Sequence, residues 1–158
     1  MDAGELLKAF MRNVAQPVFA VTARSNKGYA AFTASSVTSI SLEPPLMMVS
    51  VAKGSRSHDP LIEAKYFIIT LLSYDDREVA EVLAEREDPK NKLERVGFKD
   101  TPYGPQVRGK AHLYLSKWRT YDGGDHTIVL GKVEGGSIEV DKVEKPLVYH
   151  YRRYTTVL

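Results

Sequence analysis

Seven short runs of β-branched and aromatic residues, each bounded by glycine, proline, asparagine or serine, dominate this sequence and constrain its fold most. They cover residues 18–23, 29–33, 46–51, 66–72, 112–119, 127–133 and 147–151. Runs of this length and composition predict β-strands. Turn-forming residues at 25–28 and at 134–137 predict hairpin connections between neighbouring strands.

Helical patterns occur at only a few places. Apolar residues at helical spacing in segment 6–14 follow Asp2, which predicts an amphipathic N-terminal helix that ends before Pro17. Residues 73–76 have the pattern of a capping box and precede an apolar stripe at 79–83, so a second helix with a structural role is expected. A further short helix or turn is predicted for residues 93–98.

This order of elements predicts a mainly β fold: a Greek-key antiparallel β-barrel with an N-terminal helix and one or two inserted helices. Closing a sheet into a barrel removes its exposed edges. The length of 158 residues predicts a single domain over residues 1–158. A barrel of this size is filled by its own side chains, so a large cofactor is expected outside it, where two subunits meet.

Composition excludes several classes of function. The chain has no cysteine, which rules out disulfides, thiolate metal sites and cysteine nucleophiles. Its 22 basic and 20 acidic residues leave a formal charge of +2, too small a bias to predict nucleic-acid binding. No apolar run reaches the roughly 20 residues of a membrane span, and the N-terminus lacks signal-peptide features, so a cytoplasmic protein is expected. His58, His112 and His150 lack metal-ligand spacing, and no metal site is predicted.

A basic, serine-rich loop follows the strand that begins at Pro44-Pro45. It reads Lys53-Gly54-Ser55-Arg56-Ser57-His58. Hydroxyls, a cation and a glycine that permits close backbone approach are the groups that a phosphate requires. The alternative is an ordinary solvated loop, but its position directly after the strand favours a phosphate site, to which Ser35 and Ser36 can add donors.

His126 follows Gly123, Gly124 and Asp125, immediately before an apolar strand. A histidine on such a turn can reach a bound ligand, and a neighbouring carboxylate can orient its ring. A surface or core histidine with no further role is the alternative.

The segments in this order resemble the flavin reductase-like, FMN-binding split-barrel family. The hydroxyl-rich stretch 33–43, the Pro44-Pro45 strand, the Gly-Asp-His strand and the Pro-Leu-Val-Tyr segment at 146–149 carry the resemblance, which extends from about residue 10 to residue 154. It implies a homodimeric split barrel with FMN near the subunit interface. It further implies a reductase that transfers hydride from NADH or NADPH to FMN, with FAD as an exchangeable substrate, and supplies a partner flavin-dependent monooxygenase of the 4-hydroxyphenylacetate type.

The resemblance also implies site residues. Those for the flavin are Thr33, Ala34, Ser35, Ser36, Ser50, Val51, Lys53, Ser55, Ser57, His126 and Tyr154. Ser50 and Val51 would lie beside the flavin ring, and Lys53, Ser55 and Ser57 near its phosphate. His126 is the expected catalytic residue, placed close to the nicotinamide. The family often has asparagine at the positions of Ser35 and Thr70, so individual ring contacts differ here.

No Gly-x-Gly-x-x-Gly fingerprint follows a strand, so no Rossmann domain is expected, and the nicotinamide cofactor must bind in the flavin cleft itself. The rival hypothesis is a non-enzymatic module that holds FMN or haem on the same barrel as an electron carrier. Fold alone does not decide between these two hypotheses.

Overall fold

The computed structural model describes residues 1–157. Its elements in chain order are α1 (Ala3–Arg12), β1 (Gln16–Pro17), β2 (Phe19–Ser25), β3 (Gly28–Ala34), β4 (Val37–Leu42), β5 (Pro45–Ala52), α2 (His58–Glu63), β6 (Tyr66–Leu71), a 3-10 turn (Tyr74–Asp76), α3 (Arg77–Leu83), α4 (Pro89–Val96), β7 (Lys99–Thr101), β8 (Gly104–Gln106), β9 (Ala111–Gly123), β10 (His126–Ile138), β11 (Val148–His150) and β12 (Arg153–Thr155). No helix in the described part of the chain is long and apolar enough to cross a membrane.

Seven strands form one antiparallel sheet in the order β3-β2-β6-β9-β10-β5-β4. Its two edge strands, β3 and β4, are consecutive in the chain and are separated by Ser35 and Ser36 alone. The sheet must therefore curl until its edges meet at this junction, where the described strands show no β3–β4 ladder. The mainly β, antiparallel split barrel predicted from the sequence is confirmed.

The interior of the curled sheet is filled with side chains. Val21, Val49, Phe67 and Val129 are all fully buried there. A Cβ on Gly131 would approach the Phe67 ring to 2.5 Å, so the ring occupies the space that a larger residue would need. A large planar ligand consequently has to bind outside the barrel.

A second buried cluster lies under the helices. Leu83 of α3 and Leu93 of α4 pack with Val18 and Leu72 beside the sheet. The hydroxyl of Thr33 on β3 donates to the carbonyl oxygen of Ala80 at 2.6 Å. This packing places the turn between α3 and α4 beside the β3–β4 junction.

The capping box at residues 73–76 is confirmed, since the Asp76 carboxylate accepts from both the backbone N–H and the hydroxyl of Ser73, at 3.0 and 2.9 Å. The prediction of a hairpin at residues 134–137 is wrong. These residues continue β10 through a shift in its register against β9. At Gly136, which has a φ of 155°, a Cβ would lie 2.2 Å from the carbonyl oxygen of His112, so close backbone approach explains the glycine.

Two further differences concern strands. β4 was not predicted, because Thr38, Ser39 and Ser41 make it polar and largely exposed on an edge. The alternation of Tyr149, Tyr151 and Tyr154 in the sequence predicts that all three share one face of a strand. Tyr149 and Tyr154 do pack together, with ring centroids 5.2 Å apart. Tyr151 does not share their face, because it occupies the exposed turn between β11 and β12 at a positive φ of 49°.

Candidate functional site

An open cavity of about 700 Å³ lies between the rim of the barrel and the α3–α4 turn. Its lining residues are Phe32, Thr33, Ala34, Ser35, Ser36, Ser50, Val51, Ala52, Gly54, Ser55, Arg56, Ser57, Leu83, Ala84, Glu85, Arg86, Glu87, Lys92 and His126. We call the part from residues 32–36, 50–52, 54–57 and 126 the strand wall, and the part from residues 83–87 and 92 the helical wall. A cavity of this size is within the usual range for small-molecule sites.

The strand wall is centred on the junction where the barrel edges meet. The backbone N–H of Ser50 donates to the carbonyl oxygen of Ser36 at 3.2 Å, which brings β5 against the β3–β4 junction. Within residues 1–157 the side-chain hydroxyls of Ser35, Ser36 and Ser50 make no hydrogen bond to another residue. Three hydroxyls that line a cavity and have no protein partner are available to a ligand.

The hydroxyls of Thr33 and Ser57 are instead engaged by the fold. Thr33 bonds to the backbone of α3, as described above. The Ser57 hydroxyl accepts from the backbone N–H of Ala31 at 2.9 Å, and Ser57 is almost completely buried. These two residues shape the strand wall, and their hydroxyls are less available to a ligand than those of the three free serines.

The loop after β5 is a compact turn. The Ser55 N–H donates to the Ala52 carbonyl oxygen at 3.0 Å, and the Ser57 N–H donates to the Ser55 hydroxyl at 3.1 Å. Arg56 lies at the tip of this turn, lines the cavity and, in the described part of the chain, forms no ion pair. It is therefore the cation that the strand wall presents to a ligand.

Lys53 is directed elsewhere. Its ammonium donates to the carboxylate of Asp122 on β9, which lowers the pKa of Asp122. Lys53 is not among the lining residues, and neither is Tyr154, whose ring packs on Tyr149 and whose pKa is raised by burial. All the other flavin residues predicted from the sequence line the cavity.

His126 is the first residue of β10 and lies opposite Ala52 of β5 and Gly123 of β9. Its Nδ1 is 2.7 Å from Oδ1 of Asp125, and this hydrogen bond lowers the pKa of the Asp125 carboxyl. Because Nδ1 faces a carboxylate, Nε2 is the ring nitrogen left for a ligand. The expected pairing of Asp125 with His126 is thus present at the edge of the cavity.

Lys92 of α4 holds the rest of the helical wall in place through hydrogen bonds to its backbone. It is only 4% exposed, and its ammonium donates to the carbonyl oxygens of Leu83 at 2.8 Å and Glu85 at 3.1 Å. Carbonyls at a helix C-terminus lack intrahelical partners, and a cation is favoured there. Burial lowers the pKa of Lys92.

Sequence reasoning missed the helical wall completely, because it assigned the helix at 77–83 a structural role. No local motif marks residues 83–87 as part of a site. They reach the cavity through the packing of α3 and α4 on β3, which depends on residues distant in sequence. Arg56 was within the predicted phosphate loop but was not singled out there.

Comparisons with known proteins show the family of the chain. The family model described as "Flavin reductase like domain" matches residues 11–158, so the chain belongs to that family. An NADH:FMN oxidoreductase of Rhodococcus qingshengii is 32% identical over 155 residues, covering 96% of this chain and 80% of the relative. A crystal structure of the flavin reductase HpaC complexed with NADP+ has a TM-score of 0.86 at 28% identity, covering 98% of this chain and 97% of that one.

Some relatives are much longer. The reductase component of a flavin-dependent trigonelline monooxygenase from Acinetobacter baylyi is 34% identical over 104 residues, which are 65% of this chain. The matched part is 33% of the relative, so the chain corresponds to about a third of that protein.

Proposed function

We propose that this protein is an NAD(P)H:flavin oxidoreductase, in which residues 1–158 act as one flavin-binding domain. One observation carries the proposal: free serine hydroxyls, an unpaired arginine and a carboxylate-oriented histidine line the same cavity on the rim of a filled barrel. Membership of the flavin reductase-like family and the names of its members support the same reaction.

The residues present fit the phosphate-bearing part of FMN. Ser35 and Ser36 offer hydroxyls and Arg56 a charge, which are the groups that bind a phosphate most strongly. Phe32, Val51 and Ala52 contribute apolar groups to the lining, which suit a flat ring, and Ser50 adds a hydroxyl. A flavin bound there supplies the hydride acceptor, while the protein supplies position and electrostatics.

His126 is proposed to orient the nicotinamide. Its ring lines the cavity, and Asp125 holds that ring through Nδ1. A residue that aligns two reactants contributes by fixing their approach, without accepting the hydride itself. The roles of Lys53 and Tyr154 in flavin binding, expected from the resemblance, remain predictions without support from the cavity lining.

The decisive experiment is a measurement of NADH and NADPH oxidation by the purified protein with and without added FMN. A reductase oxidises the nicotinamide cofactor only when flavin is present, and one flavin is reduced per nicotinamide consumed. An electron-carrier module would bind FMN or haem and leave NADH unoxidised, which would refute the reductase proposal.

We also propose that the protein is a homodimer. The apolar side chains of Leu6, Leu7 and Phe10 on α1 are each at least 60% exposed, and no residue of α1 is buried within the chain. A contiguous apolar face of this kind is typical of an interaction surface, and a second copy would cover it. Sedimentation should give twice the chain mass of 17.7 kDa. A monomer that retains FMN would contradict this.

The reduced flavin is proposed to serve a partner flavin-dependent monooxygenase in the cytoplasm. The relatives named as reductase components support the kind of partner. Substrate hydroxylation that requires both this protein and a monooxygenase, with free flavin in between, would test the role. Hydroxylation at the same rate without this protein would contradict it.

A further inference from the structure

The helical wall contains an arginine that the proposed function has not used. Arg86 is at the middle of the α3–α4 turn and lines the cavity. Within residues 1–157 it forms no ion pair and no side-chain hydrogen bond. Arg86 is exposed, and its charge has no partner among the described residues of the chain.

The residues on either side of Arg86 are held by α4. The guanidinium of Arg95 binds both oxygens of Glu85, at 2.7 and 3.1 Å, and also Oε2 of Glu87 at 2.6 Å. Lys92 fixes the backbone of the same turn through the carbonyl oxygens of Leu83 and Glu85. The turn that carries Arg86 is thus anchored at two points.

The anchoring also decides the charge of the cavity. Both carboxylates of the helical wall share Arg95, which neutralises much of their effect on a ligand. Arg56, Arg86 and Lys92 remain as cations along the lining. Lys92 is deeply buried, and its ammonium has carbonyl oxygens as its hydrogen-bond partners, while Glu85 and Glu87 nearby favour its charged form.

The two arginines belong to different walls. Arg56 is on the strand wall, beside the free serines to which the flavin phosphate is assigned. Arg86 is on the opposite, helical wall. A monophosphate assigned to Arg56 and the free serines makes no use of the charge of Arg86. A ligand with a further phosphate, joined to the first as a diphosphate, supplies an anion to both.

We propose that Arg86 binds the diphosphate bridge of a dinucleotide, either FAD or the nicotinamide cofactor, and so makes this site discriminate dinucleotides from FMN. This inference rests on the proposed function, because it assumes that flavin and nicotinamide share the cavity. Lys92 and Arg95 act as positioning residues, since they hold the turn without contacting the ligand through their own charged groups.

The test compares Arg86→Ala with the wild type by calorimetric titration of FMN, FAD and, on the FMN-loaded protein, NAD+. Lys90→Ala is the matched control, because Lys90 is an exposed cation on α4 outside the cavity lining. Arg86→Ala should weaken FAD or NAD+ roughly tenfold or more, the scale of one charge-assisted hydrogen bond, and leave FMN unchanged. Arg86→Lys should restore part of the loss, and Lys90→Ala should cause none.

The titrations with FAD and with NAD+ identify which dinucleotide supplies the diphosphate. Loss for FAD alone assigns Arg86 to the flavin dinucleotide, and loss for NAD+ alone assigns it to the nicotinamide dinucleotide. Three results overturn the inference: equal weakening of FMN and FAD, no change for FMN, FAD or NAD+, or, in a further titration with NADP+, a loss for NADP+ and none for NAD+. The last would assign Arg86 to a single ribose phosphate.

Failure of the inference is distinguishable from failure of the proposed function. If the wild type binds FMN and oxidises NADH in a flavin-dependent reaction while Arg86→Ala behaves as the wild type, only the diphosphate assignment fails. If the wild type binds no flavin, the proposed function fails first. Arg86 has no partner in the described chain, so its replacement should leave the thermal midpoint unchanged.

Discussion

The two walls of the cavity are built in different ways. The strand wall consists of consecutive segments around the β3–β4 junction and the loop after β5, and its polar groups come from short local motifs. The helical wall consists of one turn held by Lys92 and Arg95 from the next helix. Ligand-facing hydroxyls dominate the first wall, and charges dominate the second. Substitution of Arg56 on the strand wall should therefore affect ligand binding most, and substitution of Lys92, which holds the helical wall, should affect stability most.

The largest effect is expected at Arg56. Arg56→Ala should weaken FMN by about 1.5–3 kcal/mol and leave riboflavin nearly unchanged, because only FMN carries the phosphate. Lys53→Ala is the matched comparison, since Lys53 is on the same loop but pairs with Asp122. Fluorescence titration with both flavins measures the difference. A greater loss from Lys53→Ala would return the phosphate to the lysine that the sequence pattern favoured.

Lys92→Met should have the next largest effect, which is a loss of folding stability. The substitution leaves the carbonyl oxygens of Leu83 and Glu85 without their buried donor, at a cost of about 1–3 kcal/mol. Relief from burying a cation offsets part of this cost, so a net loss of about 1–2 kcal/mol is expected. Urea unfolding of Lys92→Met and of the exposed-site control Lys90→Met checks it. Equal midpoints would show that Lys92 does not support the turn.

His126→Ala should fold normally and bind FMN as the wild type does, while reduction of bound flavin by NADH slows roughly tenfold, or about 1.4 kcal/mol. Stopped-flow reduction across NADH concentrations separates the saturated rate from the dissociation constant. Asp125→Asn tests whether the carboxylate orients the ring and should show a smaller loss in the same direction. A collapse of flavin affinity with an unchanged rate would place His126 in the flavin site instead.

The smallest effect lies outside both walls. His112 is almost fully buried, its Nδ1 is 2.9 Å from the Thr70 hydroxyl, and burial lowers its pKa. A lowered native pKa means that below about pH 6.5 the unfolded chain binds a proton that the native state refuses. Stability should fall as the pH drops from there toward the lowered value, by at most about 1.4 kcal/mol per pH unit.

His112→Gln should remove this part of the pH dependence, and His150→Gln, at an exposed site, should keep it. Urea unfolding between about pH 5.5 and pH 7.5 compares the two variants, in a range above most carboxyl titrations. Identical slopes for His112→Gln and the wild type would show that another group titrates.

Much of the fold follows from local pattern. Six of the seven predicted strand runs overlap strands of the seven-stranded sheet, and the seventh overlaps the short strand β11. The capping box at residue 73 starts the predicted helical region. The failures also have local causes: β4 carries too many exposed hydroxyls for a strand pattern to show. The glycines at 135 and 136 resemble a turn but serve a register shift inside β10.

The sequence by itself indicated most of the strand wall: Ser35, Ser36, the loop after β5 and His126 adjoin predicted strands, and the family resemblance added Ser50. Only the tertiary structure decided which charged residues line the cavity. Lys53 is drawn to Asp122 by strand pairing, whereas Arg56 is left free. The packing of α3 and α4 on β3 brings Arg86 and Lys92 to the same cavity. Side-chain partners depend on distances between segments far apart in the chain, and a local pattern contains no information about those distances.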